Sequence, residues 1–189
     1  MLISSLIVTP LIGILLLFSI IIFKQKSNLV YMKKTTLFIT LINLSISLFI
    51  WLIFDNNSKH FQFVQEHYLI GNYDFYLGID GFSIYFILLT TLIMPISVMS
   101  NWKSITEKTV YFLIIMLMLE AFLLIIFLVL DILMFYIFFE SILAPLFILI
   151  GIFGSSEKNR ASFYFFLYTF LGSLFMLLSF KYWVTSSDA

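Results

Sequence analysis

Six uninterrupted apolar runs dominate this chain, each about as long as a helix needs to cross the hydrocarbon layer of a bilayer. They fall at residues 2–23, 35–54, 82–100, 109–130, 132–153 and 163–180. At a rise of 1.5 Å per residue, about twenty residues cover the ~30 Å core. An open sheet would leave backbone groups unpaired in lipid, and barrel strands alternate polar with apolar residues. Continuous runs do neither. The expected fold is all-α: a polytopic membrane protein of about six transmembrane helices. Composition agrees, with 62% hydrophobic and 11% charged residues, against about half and about a quarter in a soluble domain.

The polar connections are residues 24–34, 55–81, 101–108, a tight link at Asp131, and 154–161. The expected organisation is 1–54 for helices one and two, 55–81 for an outer-face loop or hairpin, 82–180 for helices three to six, and 181–189 for a divergent tail. Residues 1–23 lack a basic start and a small-residue cleavage site, so they read as a first transmembrane helix rather than a signal peptide. The long connection interleaves Phe61, Phe63, His67, Tyr68, Tyr73, Phe75 and Tyr76 with polar residues and Gly71. That pattern suits a hairpin at headgroup level, packed as a lid on helix ends.

Charge placement orients the chain. Lys24, Lys26, Lys33, Lys34, Lys103, Lys108, Lys158 and Arg160 occupy the first, third and fifth connections, leaving Lys59 and Lys181 for the other side. The positive-inside bias puts the odd connections on the cytoplasmic or matrix side and the N-terminus outside. Zero formal net charge points to no nucleic acid. Without cysteine there is no thiolate metal site or iron–sulfur ligation. His60 and His67 read as solvated loop residues, so neither a metal nor a cofactor is expected on this chain.

Two acids stand out because they lie deep inside apolar helices. Glu120 is eleven residues before Asp131 and Glu140 nine after it, which places them ~16 and ~13 Å along their helices from the turn. Both are then near mid-membrane on adjacent antiparallel helices. A charge at that depth costs about 2.5–3.5 kcal/mol on insertion scales. Shielding a carboxyl from water brings its titration towards physiological pH, so such a group can load and release a proton when a partner charge moves. The competing reading makes each glutamate a packing acid, hydrogen-bonded across helices. Asp131, in the turn, reads as a helix cap. Pro145, five residues beyond Glu140, is expected to bend helix five beside the acid, with Pro95 and Pro10 bending helices three and one.

Several stretches carry a resemblance. Leu77-Gly78-Ile79-Asp80-Gly81-Phe82-Ser83, the run Leu88 to Pro95, Leu119-Glu120-Ala121, and Phe135-Tyr136-Ile137-Phe138-Phe139-Glu140-Ser141 with Pro145, Gly151 and Gly154 resemble subunit four of NADH–ubiquinone oxidoreductase, respiratory complex I. Phe165 to Thr169 with Gly172-Ser173 continues the match, which covers roughly residues 5–180. The resemblance implies a core subunit of the membrane arm in the mitochondrial inner membrane, N-terminus on the intermembrane-space side, that translocates protons while electrons pass from NADH to ubiquinone elsewhere. NAD, FMN, iron–sulfur clusters and ubiquinone belong to partner subunits on this reading. Glu140 matches the family's principal acid and Glu120 its secondary one. Family members continue through many more helices and use lysines on them, so a second chain or segment is expected to supply the missing helices, or the chain is a truncated or altered-tail form. The alternatives are a structural or assembly subunit of the same complex and a cation/proton antiporter subunit.

Overall fold

The computed structural model describes residues 2–23, 29–55, 58, 60–68, 74–105 and 107–187. Lys24, Lys26, Lys59, Gly71 and Tyr73 lie outside the described residues. Six helices carry the fold: α1 (Leu2–Phe23), α2 (Leu29–Ile53), α3 (Ser83–Ser100), α4 (Thr109–Leu128), α5 (Ile132–Phe153) and α6 (Lys158–Ser187). All six are long and apolar enough to cross a membrane. Between α2 and α3 lies an antiparallel pair, β1 (Gln62–Tyr68) with β2 (Asp74–Ile79).

The helix ends follow local chemistry. α2 starts at Leu29, six residues before its apolar window, because Lys33 and Lys34 sit within its first turns with their stems along the helix and their charges at its edge. α6 likewise begins at Lys158 and continues to Ser187, taking in most of the polar tail expected after Phe180. Pro10, Pro95 and Pro145 lie within α1, α3 and α5, each of which continues on both sides of its proline. Asp131 caps α5: its Oδ1 accepts the Leu133 N–H at 3.1 Å and its carbonyl accepts the Phe135 N–H at 2.9 Å.

The chain divides into two compact units, residues 1–135 and 136–189. In the first, α1 packs on α4 and α2, α2 on α3, and α3 on α4. α4 is the central element, with 61% of its most apolar window buried. Buried Leu113, Leu117, Glu120, Ala121, Leu124 and Leu128 repeat at helical spacing along it. α2 inverts the pattern of a soluble helix. Thr36, Thr40, Asn43 and Ser47 are buried, whereas Phe38, Leu41, Leu48 and Leu52 are exposed. In lipid an apolar outer face is the favourable one, and polar side chains turn inward to find partners.

The hairpin seats on one end of this bundle. Leu77 and Ile79 are buried with Ile3, Leu6, Ile50, Ile84, Ile87, Leu124 and Leu128 in one cluster. The Leu130 N–H bonds the Tyr76 carbonyl at 3.0 Å, and Leu77 bridges to Val129, so the end of α4 is stitched to β2. Gly78 makes room for this: a Cβ there would lie 2.9 Å from Leu130 Cδ1. Between Gln62 and Gln65 the register slips at a bulge, with Phe63 at φ 56°. Asp80 Oδ1 then accepts the Ser83 N–H at 2.6 Å and opens α3. Burial opposes ionisation of Asp80, but hydrogen bonds from Ser83 and Phe82 outweigh it and hold the carboxyl below its ordinary 3.8.

In the second unit, α5 and α6 meet where Gly151 faces Ser162, so that a Cβ at Gly151 would lie 3.5 Å from the Ser162 hydroxyl, and where Phe147 packs edge-on to Phe166 at 5.7 Å. A Cβ at Gly154 would collide with the Ile150 carbonyl oxygen and approach Lys158 Cβ to 2.8 Å. Lys158 Nζ donates to the Ile152 carbonyl at 3.0 Å, so a basic residue closes the last turn of α5.

Candidate functional site

Glu120 projects from the middle of α4 into the first unit and is fully buried. Its position on the face of Leu113, Leu117 and Leu124 forces this, since that face meets α1 and α2. Asn43, also fully buried, donates from Nδ2 to Glu120 Oε1 at 2.7 Å. The Thr9 hydroxyl in turn donates to Asn43 Oδ1 at 2.9 Å. Three helices are therefore joined by one hydrogen-bonded chain, Thr9 to Asn43 to Glu120. Gly13, one turn after Thr9, lets α1 come this close: a Cβ there would lie 3.0 Å from Leu117 Cδ1 and 3.1 Å from Ile39.

Glu120 Oε2 has no hydrogen-bond partner among the described residues. The helices packed on α4 offer no cation near it. α1 contains no ionisable side chain, α3 contains Tyr85 alone, and α2 carries Tyr31, Lys33 and Lys34 in its first turns only. The carboxyl thus meets one neutral amide and presents one unpaired oxygen. Such a group can hold a proton at that oxygen, or give it up to an arriving water or base.

The polar row continues along α2. One turn beyond Asn43, Ser47 shares a 2.7 Å hydrogen bond with Thr91 of α3, while Thr36 and Thr40 bond to carbonyls of their own helix, Met32 at 2.9 Å and Leu37 at 3.0 Å. The spacing of Thr36, Thr40, Asn43 and Ser47 is the sign of this row in the sequence, whereas Asn43 and Thr9 carry no charge that would mark either as a partner of Glu120.

Glu140 belongs to the second unit, on α5, and is half-buried. Its Oε2 is enclosed without a hydrogen-bond partner among the described residues. Ser141 Oγ turns back to the Ile137 carbonyl at 2.7 Å. Pro145, Ile142 and Leu143 are the buried residues that follow. Among the described residues no group of three His, Cys, Asp or Glu side chains is placed to hold a metal ion. His60 is exposed.

Comparison with known proteins finds relatives of this chain. A family model described as NADH:quinone oxidoreductase/Mrp antiporter, TM, matches residues 129–188. The chain is 46% identical over 178 residues to NADH-ubiquinone oxidoreductase chain 4 of Mycosarcoma maydis, covering 94% of this chain and 37% of that one. It is 40% identical over 179 residues to the chain 4 of Marchantia polymorpha, covering 93% and 35%. A Podospora anserina protein described as an uncharacterized 50.9 kDa protein in ND4 intron 1 is 59% identical over 144 residues, 76% of this chain and 32% of that one. Among solved structures, respiratory complex I from Thermus thermophilus with bound NADH superposes with a TM-score of 0.72 at 22% identity, over 94% of this chain and 34% of that one. That likeness bears on the fold. The chain spans about a third of the length of the relatives it matches. It is a homologue of the N-terminal portion of NADH–ubiquinone oxidoreductase chain 4.

Proposed function

We propose that the chain forms the first part of a proton-translocating membrane-arm subunit of NADH–ubiquinone oxidoreductase, with Glu140 and Glu120 as its proton-relay acids. It works in the mitochondrial inner membrane with its N-terminus on the intermembrane-space side. Other membrane-arm subunits surround it, a second segment supplies the helices beyond α6, and the redox groups reside in partner chains. The observation that carries this reading is Glu120 itself: an acid without exposed surface, in mid-helix, with one oxygen unpartnered among the described residues, while the cations of the helices packed against it, Lys33 and Lys34, are confined to the first turns of α2. Retaining such a group in lipid is expensive, and a role that needs reversible protonation accounts for it.

The relay acts by coupling. Electron transfer in partner subunits moves a charge towards or away from each acid, and the acid's proton affinity follows. A second reading rests on the Thr9–Asn43–Glu120 chain, which ties three helices together and would serve equally to pack them. Glutamine substitution separates the two. Glu140→Gln and Glu120→Gln keep size and hydrogen-bonding capacity but cannot titrate. In the assembled complex, each is expected to lower protons pumped per NADH and coupled NADH–ubiquinone turnover, with membrane-arm content on native gels unchanged. Normal pumping in both variants would leave the packing reading in place.

A further inference from the structure

Asn43 is fully buried, and both ends of its amide are engaged. Because Thr9 donates to Oδ1 at 2.9 Å, the amide cannot turn over without breaking that bond, and its Nδ2 is held towards Glu120 Oε1 at 2.7 Å. An amide keeps its hydrogens at every pH, so Asn43 cannot pass a proton along; towards Glu120 its Nδ2 can only donate. The two oxygens of Glu120 are consequently unlike: Oε1 is occupied by a fixed donor and Oε2 has no partner among the described residues.

We propose that Asn43, locked by Thr9, is a positioning residue that occupies Oε1 of Glu120 and reserves Oε2 as the oxygen at which the acid exchanges its proton. This rests on the relay reading of Glu120 above. In the protonated acid the O–H bond lies on Oε2 and Oε1 is the carbonyl oxygen accepting from Asn43. On release, the Oε2–H bond breaks and the proton passes to a water molecule. The electron pair stays on Oε2, and the carboxylate keeps its amide bond at Oε1. Return of a proton from water restores the O–H bond at Oε2. No other titratable group faces the acid from α1, and those of α2 and α3 are Tyr31, Lys33, Lys34 and Tyr85, near the helix ends. β2, packed on the end of α4, contributes Tyr76.

The test uses assembled complex containing this chain, with Asn43→Leu, Thr9→Val, Glu120→Gln, and the Asn43→Leu/Glu120→Gln pair. Infrared difference spectra report the carbonyl stretch of protonated Glu120, identified by its disappearance in Glu120→Gln. A carbonyl that loses its donor stretches at higher wavenumber, so Asn43→Leu is expected to raise the band, and Thr9→Val to raise it less. Coupled turnover should fall about tenfold in Asn43→Leu, the scale of one lost hydrogen bond to an ionisable group. The paired variant should be no slower than Glu120→Gln alone, as expected of residues acting through one carboxyl.

A band that stays in place in Asn43→Leu, or losses that multiply in the paired variant, overturns the positioning role while the relay reading stands. Undiminished pumping in Glu120→Gln overturns the relay reading of this acid and the role built on it. Should Asn43→Leu fail to assemble, Thr9→Val carries the same measurements, since it keeps the side chain's shape and deletes only the hydroxyl; an unmoved band there is equally decisive against the proposal.

Discussion

Lys33→Met should loosen the connection between α3 and α4, by an amount the structure allows to be worked out. Lys33 Nζ donates to the Trp102 carbonyl at 2.6 Å and to the Ile105 carbonyl at 3.1 Å. Methionine keeps most of the aliphatic stem and deletes both donors. The Ile105 carbonyl retains the Thr109 hydroxyl at 3.1 Å, so the Trp102 carbonyl bears the main loss. A hydrogen bond to a charged donor contributes about 1.5–3 kcal/mol. A cation at a helix C-terminus adds about 0.3–1 kcal/mol. Both groups are part-buried, and water at the bundle edge recovers some of the loss, so about 2 kcal/mol is the expected net effect. That corresponds to about a thirtyfold rise in local opening. Hydrogen–deuterium exchange at the Trp102 and Ile105 amides, which bond to the Met99 and Asn101 carbonyls, reads the opening directly. Lys34→Met is the control, removing an exposed neighbouring charge without touching these carbonyls. Equal exchange in the native chain and Lys33→Met, or equal acceleration by both variants, would refute the reasoning.

Asp131→Ala should cost α5 about 0.5–2 kcal/mol by deleting its cap, whereas Asp131→Asn should be nearly neutral; heat challenge of membrane-arm content on native gels checks this, and equal losses would contradict it. The Asp80 carboxyl is held below its ordinary value, so its stabilising contribution is complete above pH 3.8 and disappears as pH falls through the lowered folded value. Protection of the Ser83 and Ile84 amides, corrected for intrinsic exchange, should therefore decline with acid in the native chain and stay flat in Asp80→Asn; matching profiles would sink the assignment. Lys34→Cys, in a chain with no other cysteine, should react with an impermeant maleimide from the matrix side only. Reaction from the intermembrane space would reverse the proposed orientation.

The spans of α1 and α5 coincide with their apolar windows, because hydropathy is the quantity that lipid selects. Windows did worse where charge meets helix. Lysines end an apolar run long before they end a helix, which is why α2 and α6 begin five or six residues earlier than hydropathy alone suggests. The depth of Glu120 within α4 was legible from its distance to Asp131. Its partner was not. Thr9 and Asn43 lie 34 residues apart and Asn43 and Glu120 77 apart, and no one-dimensional pattern tells which helices touch. The inward polar face of α2 was available in principle, but hydroxyls in helices commonly bond their own backbone, as Thr36 and Thr40 do here, so the stripe is ambiguous until packing is known.

The suture between the hairpin and the end of α4 limits how the acid-bearing helix can move. Val129 and Leu130 behave as a short third edge to the strand pair, fastened by the Tyr76 carbonyl and pressed against Gly78. A piston-like slide of α4 by a single residue, 1.5 Å, would shear that main-chain bond and drive Leu130 into the glycine. The suture therefore resists axial sliding of α4 and leaves side-chain rotation as the easier change around Glu120, with the helix itself pinned like a beam at its bracket.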